Sequence, residues 1–217
     1  MQALVKICGI TNLDDALCAA EAGADAIGFV FARSPRQVTP EQVQEITAHL
    51  PSHLITVGLF VNAPLEAIRT SIATAGVNAV QLHGDEPPEV VEKLAQHTSV
   101  RKGDIRSWPL LVKAFAPRQE SDLTSLKDYA AAQAFLIDAH VEGVRGGTGK
   151  RADWNLAKAA KEFGRVILAG GLDPENVAEA LAQVEPFGVD VSSGVEAAPG
   201  RKDPARVKEF IRRVREA

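Results

Sequence analysis

The sequence predicts an α/β protein, a single (β/α)8 (TIM) barrel of parallel strands occupying residues 1–217. Three observations carry that expectation. Short runs rich in Val, Ile, Leu and Phe alternate eight times with stretches whose apolar residues recur at helical spacing. The strand runs are apolar on both faces, as in a parallel sheet covered by helices. No Gly-x-Gly-x-x-Gly turn follows the first strand, which disfavours the rival, an open doubly wound sheet.

In chain order the strands are expected at 3–8, 25–31, 54–61, 78–83, 110–115, 134–138, 165–169 and 188–192. The helices are expected at 12–22, 39–49, 64–75, 87–97, 121–132, 153–163, 174–184 and 203–215. Gly23 and Gly76 read as helix C-caps, since glycine takes the left-handed conformation without strain. Pro40, Pro64 and Pro174 read as first-turn residues, while Asp173 and Asp203 can accept hydrogen bonds from freed helix amides.

The chain has 46% hydrophobic and 24% charged residues, enough to bury a sizeable core, which excludes disordered and fibrous classes. A formal net charge of -4 lacks the basic excess that nucleic acid or an anionic membrane surface would reward, so a small-molecule partner is expected. No apolar run approaches the ~18 residues of a membrane span and the N-terminus does not read as a signal peptide, so the expected location is cytoplasmic. A monomer or a homodimer is expected. Two cysteines, Cys8 and Cys18, allow one bridge at most and no disulfide framework.

In a barrel of this type the reacting groups sit at the carboxyl ends of the strands. Side chains alternate faces along a strand, so Lys6 with Cys8, Gln81 with His83, Lys113 with Phe115, Leu136 with Asp138, and Asp190 with Ser192 should share faces. A helix-covered face would bury each unpaired polar group at about 1–3 kcal/mol, which makes the inward rim the expected place for all five pairs. Glycine adds a second pattern. Gly146-Gly147-Thr148-Gly149, Ala169-Gly170-Gly171 and Ser192-Ser193-Gly194 fall late in the chain, where backbone amides and helix N-termini commonly hold phosphate. A phosphorylated small-molecule substrate follows from that convergence.

These residues fall into motifs that resemble those of the phosphoribosylanthranilate isomerase family of tryptophan biosynthesis. The resemblance runs through Lys6-Ile7-Cys8-Gly9-Ile10-Thr11, Gly28-Phe29-Val30-Phe31 with Ser34-Pro35-Arg36, and Val57-Gly58-Leu59-Phe60-Val61-Asn62. It continues through Gln81-Leu82-His83-Gly84-Asp85-Glu86, Gly146-Gly147-Thr148-Gly149-Lys150 and Asp190-Val191-Ser192-Ser193-Gly194-Val195-Glu196, in family order over almost the whole chain. It implies a cofactor-free barrel enzyme that rearranges N-(5-phosphoribosyl)anthranilate to its 1-deoxyribulose 5-phosphate isomer. By motif position Cys8 is implied as general base, Asp138 as general acid and Arg36 as the contact for the anthranilate carboxylate. Gly147, Gly149, Gly170, Gly171, Ser192, Ser193 and Gly194 are implied as the phosphate site.

Lys6, Gln81, His83 and Asp190 complete the expected substrate-binding set. Lys6, one pleat deeper than Cys8, is expected to favour the thiolate, which at the ~8.5 of a free thiol is a minor species at neutral pH. Asp138 must still hold its proton when substrate arrives if it is to protonate the sugar ring oxygen. Cys18, on an amphipathic helix, is expected to pack. The remaining histidines, His49, His53, His97 and His140, form no metal-ligand spacing, and no metal is expected. Two other readings remain at this stage: the related Amadori isomerase of histidine biosynthesis, in which two catalytic aspartates are expected, and a barrel that keeps phosphate binding without turnover.

Overall fold

The computed structural model describes residues 2–97, 110–138 and 153–217. Eight parallel strands close into a barrel in chain order: β1 (Leu4–Cys8), β2 (Ala26–Val30), β3 (Ile55–Phe60), β4 (Ala79–Leu82), β5 (Leu111–Phe115), β6 (Ala134–Ile137), β7 (Val166–Leu168) and β8 (Gly188–Val191). The ring is sealed by β1 against β8, with Lys6 opposite Asp190 and Ile7 opposite Val191. Each strand lies within the segment expected from its apolar run.

The inner face is a plug of mostly small and branched side chains, Ala26, Val57, Ala79, Val112, Ala134 and Ile167 among them, all buried. The outer face meets the helices α1 (Leu13–Glu21), α2 (Pro40–Thr47), α3 (Leu65–Ala75), α4 (Pro88–His97), α5 (Trp154–Ala159), α6 (Val177–Val184) and α7 (Pro204–Glu216). Val5 and Ile7 of β1 share one core cluster with Ala16 and Ala19 of α1 and with Phe210 and Val214 of α7. Burying a side chain as large as Phe210 stabilises the fold by about 1.5–3 kcal/mol.

Helix punctuation follows the sequence in part. Thr39 and Gln42 form a capping box around Pro40, and the Asp203 carboxylate accepts from the amides of Ala205 and Arg206. Gly76 closes α3 in the left-handed conformation, its amide donating to Ile72. Pro64, however, is the N-cap of α3 rather than a first-turn residue, and α6 begins at Val177, so Pro174 lies in the turn before it. Between β5 and β6 the expected α-helix at 121–132 is a 3-10 helix, Glu120–Tyr129. Its only buried residues, Leu123 and Leu126, are three apart, which suits three residues per turn. Thr124 and Ser125 hydroxyls also donate to the Ser121 and Asp122 carbonyls, competing with α-helical bonds.

One expected facing is reversed. On β5 it is Val112 and Ala114 that enter the barrel, so Lys113 and Phe115 point outward into the helical layer. The alternation of Leu111, Lys113 and Phe115 against two small apolar residues fits this, the larger side chains packing in the outer layer. Lys113 offsets its burial by donating to the carbonyls of Gly84, at 2.8 Å, and Ala114, at 3.0 Å, and by an ion pair with Glu86 at 3.3 Å. The rings of Phe115 and Tyr129 lie 5.0 and 5.7 Å from its Nζ. Glu86 in turn accepts from the amides of Asn62 and Gly84, tying the loops after β3 and β4 together. Replacing Glu86 by Ala removes a buried carboxylate from Lys113 and the acceptor for the amides of Asn62 and Gly84, and should cost about 1–3 kcal/mol, read as a lowered urea midpoint.

Candidate active site at the carboxyl end of the barrel

The carboxyl ends of the strands surround an open cleft with about 760 Å³ of empty space. Cys8 from β1, Gln81 and His83 from β4, Asp138 just past β6 and Asp190 from β8 all line it. Arg36, from the loop after β2, closes one side, and Gly170, Gly171, Ser192 and Ser193 form the edge beside β7 and β8. Of the remaining expected residues, Lys6 lies below the cleft, wholly buried. Gly194 does not line it. A side chain there would collide with the Leu172 carbonyl, so this glycine serves a close approach between the β8 and β7 loops. Gly147, Gly149 and His140 lie outside the described residues.

Cys8 owes its surroundings to three strands. Gly28 on β2 sits directly opposite it, and any β-carbon there would come within 2.8 Å of the Cys8 sulfur and 2.9 Å of the Lys6 Cε. The glycine therefore makes room for both side chains inside the barrel. Lys6 Nζ is 2.9 Å from the Asp190 carboxylate across the β1–β8 seam. Burial alone would pull the Lys6 ammonium down, but the Asp190 and Cys8 charges outweigh it and hold it above its ordinary value. For Cys8 the balance runs against the expected thiolate. Burial pushes the thiol up, and although Lys6 and Lys202 draw it down, Asp190 adds to the rise and the net direction is upward. Lys6 is the strongest influence drawing the thiol down, yet it does not offset burial together with the Asp190 charge. Both cysteines are free, and Cys18 is half-buried on α1.

On the opposite wall the Asp138 amide donates to the Phe115 carbonyl at 2.9 Å, fixing the carboxyl group at the mouth of β6. Its Oδ2 is 3.2 Å from His83 Nε2, and His83 Nδ1 is 3.0 Å from the Gln81 amide nitrogen. Beside Gly170 and Gly171 the backbone takes positive φ values of 81° and 66°, which a side chain would strain. Two successive residues in this conformation, next to the serine pair after β8, leave a small polar edge suited to an anion.

Arg36 is held before any ligand arrives. Its Nε and Nη2 donate to the two oxygens of Glu196 at 2.7 and 2.6 Å, the paired geometry that fixes a guanidinium plane. Glu196 opens a short hairpin of β9 (Glu196–Ala198) and β10 (Arg201–Lys202) that follows β8. Lys202 on that hairpin donates to Glu196 at 2.9 Å and to the Ser192 carbonyl at 3.2 Å. Burial works to raise the Glu196 carboxyl, and Arg36 and Lys202 overcome it, holding it below the usual range.

A family model described as N-(5'-phosphoribosyl)anthranilate isomerase matches residues 5–213. The chain belongs to that family. It is 51% identical over 212 residues to the N-(5'-phosphoribosyl)anthranilate isomerase of Geobacter metallireducens, covering 97% of this chain and 98% of the relative. The isomerase of Geobacter sulfurreducens matches equally well, at 51% over 212 residues. Among solved structures, the isomerase of Thermotoga maritima superposes with a TM-score of 0.87 at 42% identity, covering 99% of this chain and all, 100%, of the other. A further family structure, in complex with reduced 1-(o-carboxyphenylamino)-1-deoxyribulose 5-phosphate, has a TM-score of 0.84 at 39% identity over 99% of this chain and 100% of that one.

Sequence reading assigned no role to Glu196 or Lys202, which in this member of the isomerase family hold Arg36 and the β8 loop. Lys202 stands in the polar stretch Pro199-Gly200-Arg201-Lys202-Asp203, where nothing marks one cation as buried. Only the return of the hairpin over Ser192 reveals it. Because the charge of Asp190 adds to the rise of the Cys8 thiol, Asp190→Asn in a Cys18→Ser background should lower the Cys8 pKa. Iodoacetamide labelling against pH should show the alkylation midpoint moving down; an unchanged or higher midpoint contradicts the assignment.

Proposed function

We propose that this chain catalyses the Amadori rearrangement of N-(5-phosphoribosyl)anthranilate to 1-(2-carboxyphenylamino)-1-deoxyribulose 5-phosphate, a step of tryptophan biosynthesis, with Cys8 and Asp138 as its base and acid. The observation that carries the reading is that both side chains line one cleft, arriving from β1 and β6, beneath an edge suited to an anion. The ligand bound by the 39%-identical relative carries a phosphate and a carboxylate. The Gly170-Gly171 and Ser192-Ser193 edge suits the first and Arg36 the second.

Ring opening needs a proton on the sugar ring oxygen, which Asp138 supplies. As the C1–O bond breaks, the nitrogen lone pair forms a C1=N iminium. Cys8 then removes the proton from the neighbouring sugar carbon, C2, giving an enamine-enol that becomes the ketone as C1 takes up a proton and the C2 hydroxyl loses one. One acid and one base suffice, and no step uses a cofactor. The reactive forms are thiolate and carboxylic acid, the reverse of the order these groups take in water. A raised thiol is a scarcer but stronger base, suited to a weakly acidic C–H. Lys6 and Asp190 sit below the sulfur, so the proton it gains stays close to a fixed pair of charges.

The Arg36 cluster has a charge argument of its own. Two cations, Arg36 and Lys202, share one carboxylate, Glu196, leaving one net positive charge to meet the anthranilate carboxylate. Without Lys202 the Arg36–Glu196 pair would be neutral. A thiol in place of the first acid disfavours the histidine-pathway reading, and turnover separates this proposal from a binding-only barrel. A cytoplasmic location and a monomer or homodimer belong to the same proposal; no helix among the described residues is long and apolar enough to cross a membrane.

Loss of anthranilate-type fluorescence from freshly made substrate, coupled to the next enzyme, measures the reaction. Cys8→Ala and Asp138→Asn should each abolish turnover while leaving affinity for a reduced product analogue nearly intact. Retention of more than about a tenth of the wild-type rate, a barrier change below ~1.4 kcal/mol, would sink the assigned roles. Lys202→Met should raise KM by about 5–10-fold with kcat nearly unchanged, because the lost charge acts on ground state and transition state alike.

A further inference from the structure

Gln81 is wholly buried, at 0% exposure, on β4 in the lining of the cleft. Its amide nitrogen is 3.0 Å from His83 Nδ1, and its carbonyl Oε1 has no hydrogen-bond partner among the described residues. The other ring nitrogen, Nε2, is 3.2 Å from Asp138 Oδ2. These contacts restrict where protons can be. An amide nitrogen only donates, so Nδ1 must accept and carries no proton. The neutral imidazole then bears its proton on Nε2 and donates it to Asp138 Oδ2. Turning the amide over would leave both of its N–H donors buried and unpaired, in place of one N–H and the carbonyl, and orphaned buried donors are the rarer and costlier.

Oδ2 of Asp138 is thereby the acceptor of the ring N–H, which fixes how the carboxyl group meets the imidazole. We propose that Gln81 is a positioning residue for the reaction: its amide sets the tautomer of His83, and the ring in turn donates to Asp138 Oδ2 and holds the acid in place. The inference rests on Asp138 being the general acid and adds what orients it. A glutamine that merely filled the barrel would leave the imidazole tautomer indifferent to its amide. Here the only polar contact of the amide nitrogen within the described structure is the ring.

The test combines a spectroscopic signature with kinetics. At about pH 8, above the ~6.5 of a free imidazole, 15N resonances of His83, assigned by difference from His83→Asn, should show protonated Nε2 and unprotonated Nδ1. Observation of the Nδ1–H tautomer in the wild-type protein overturns the proposal. Gln81→Glu puts an acceptor against Nδ1 and should shift the ring to Nδ1–H or imidazolium, with kcat falling about 10–100-fold and KM within about threefold. Gln81→Met removes the amide without adding a buried charge and should also lower kcat, by about 3–10-fold. Rates of both variants within twofold of wild type overturn it as well. Asp138→Asn separates the two levels: if that variant turns over, the acid assignment itself fails, whereas an inactive Asp138→Asn with the wrong His83 tautomer removes only the role given to Gln81.

Discussion

A cation cannot be kept out of water without a carboxylate to answer it, and the active end of this barrel is organised by three such pairs. Lys6 meets Asp190 inside the ring, Lys113 meets Glu86 in the outer layer, and Lys202 meets Glu196 over the rim. The first two join segments that are separate in sequence and the third closes a short hairpin whose Glu196 also grips Arg36, so each holds two loops or strands in register as well as balancing charge. The first fixes the β1–β8 seam under Cys8, the second the loops after β3 and β4 that carry His83, and the third the guanidinium of Arg36. Burial of these groups costs more than an apolar core would, so their worth lies in position.

The fold was legible because its signal is repetitive. Eight apolar runs at regular spacing leave few topologies open, and every strand fell within the range its pattern indicated. The misreadings were local. Pro64 and Pro174 mark the approach to a helix as readily as its first turn, because proline needs only the right φ and no amide partner. The segment before β6 has just two buried leucines, too few to show whether its period is three or 3.6.

The site was legible where a residue type is odd for its place. A cysteine between Ile7 and Gly9 and an aspartate ending an apolar strand stand out against their neighbours, and both line the cleft. Lys113 misled the parity argument because that argument assumed a buried charge must face the cleft, whereas the outer layer supplied two carbonyls, a carboxylate and two rings. Glu196 was silent because its partner Arg36 lies 160 residues away, and Lys202 because nothing in its polar stretch marks it as buried. The direction of the Cys8 shift was hidden for a similar reason. Lys6 is an ally of the sulfur, but burial and the charge of Asp190, 184 residues beyond Lys6, outweigh it.

That distance along the chain has a consequence for how the molecule comes into being. Lys6 and Asp190 are 184 residues apart and Arg36 and Glu196 are 160 apart, so the groups beneath and beside the cleft meet only when the two ends of the polypeptide find each other. Contacts of such span form late, after loop-closure entropy has been overcome. A partly folded chain with its seam still open would hold Cys8 in place on β1 yet lack the charges around it. Competence for chemistry is then the last property the nascent protein acquires, and it reports that the ring is shut.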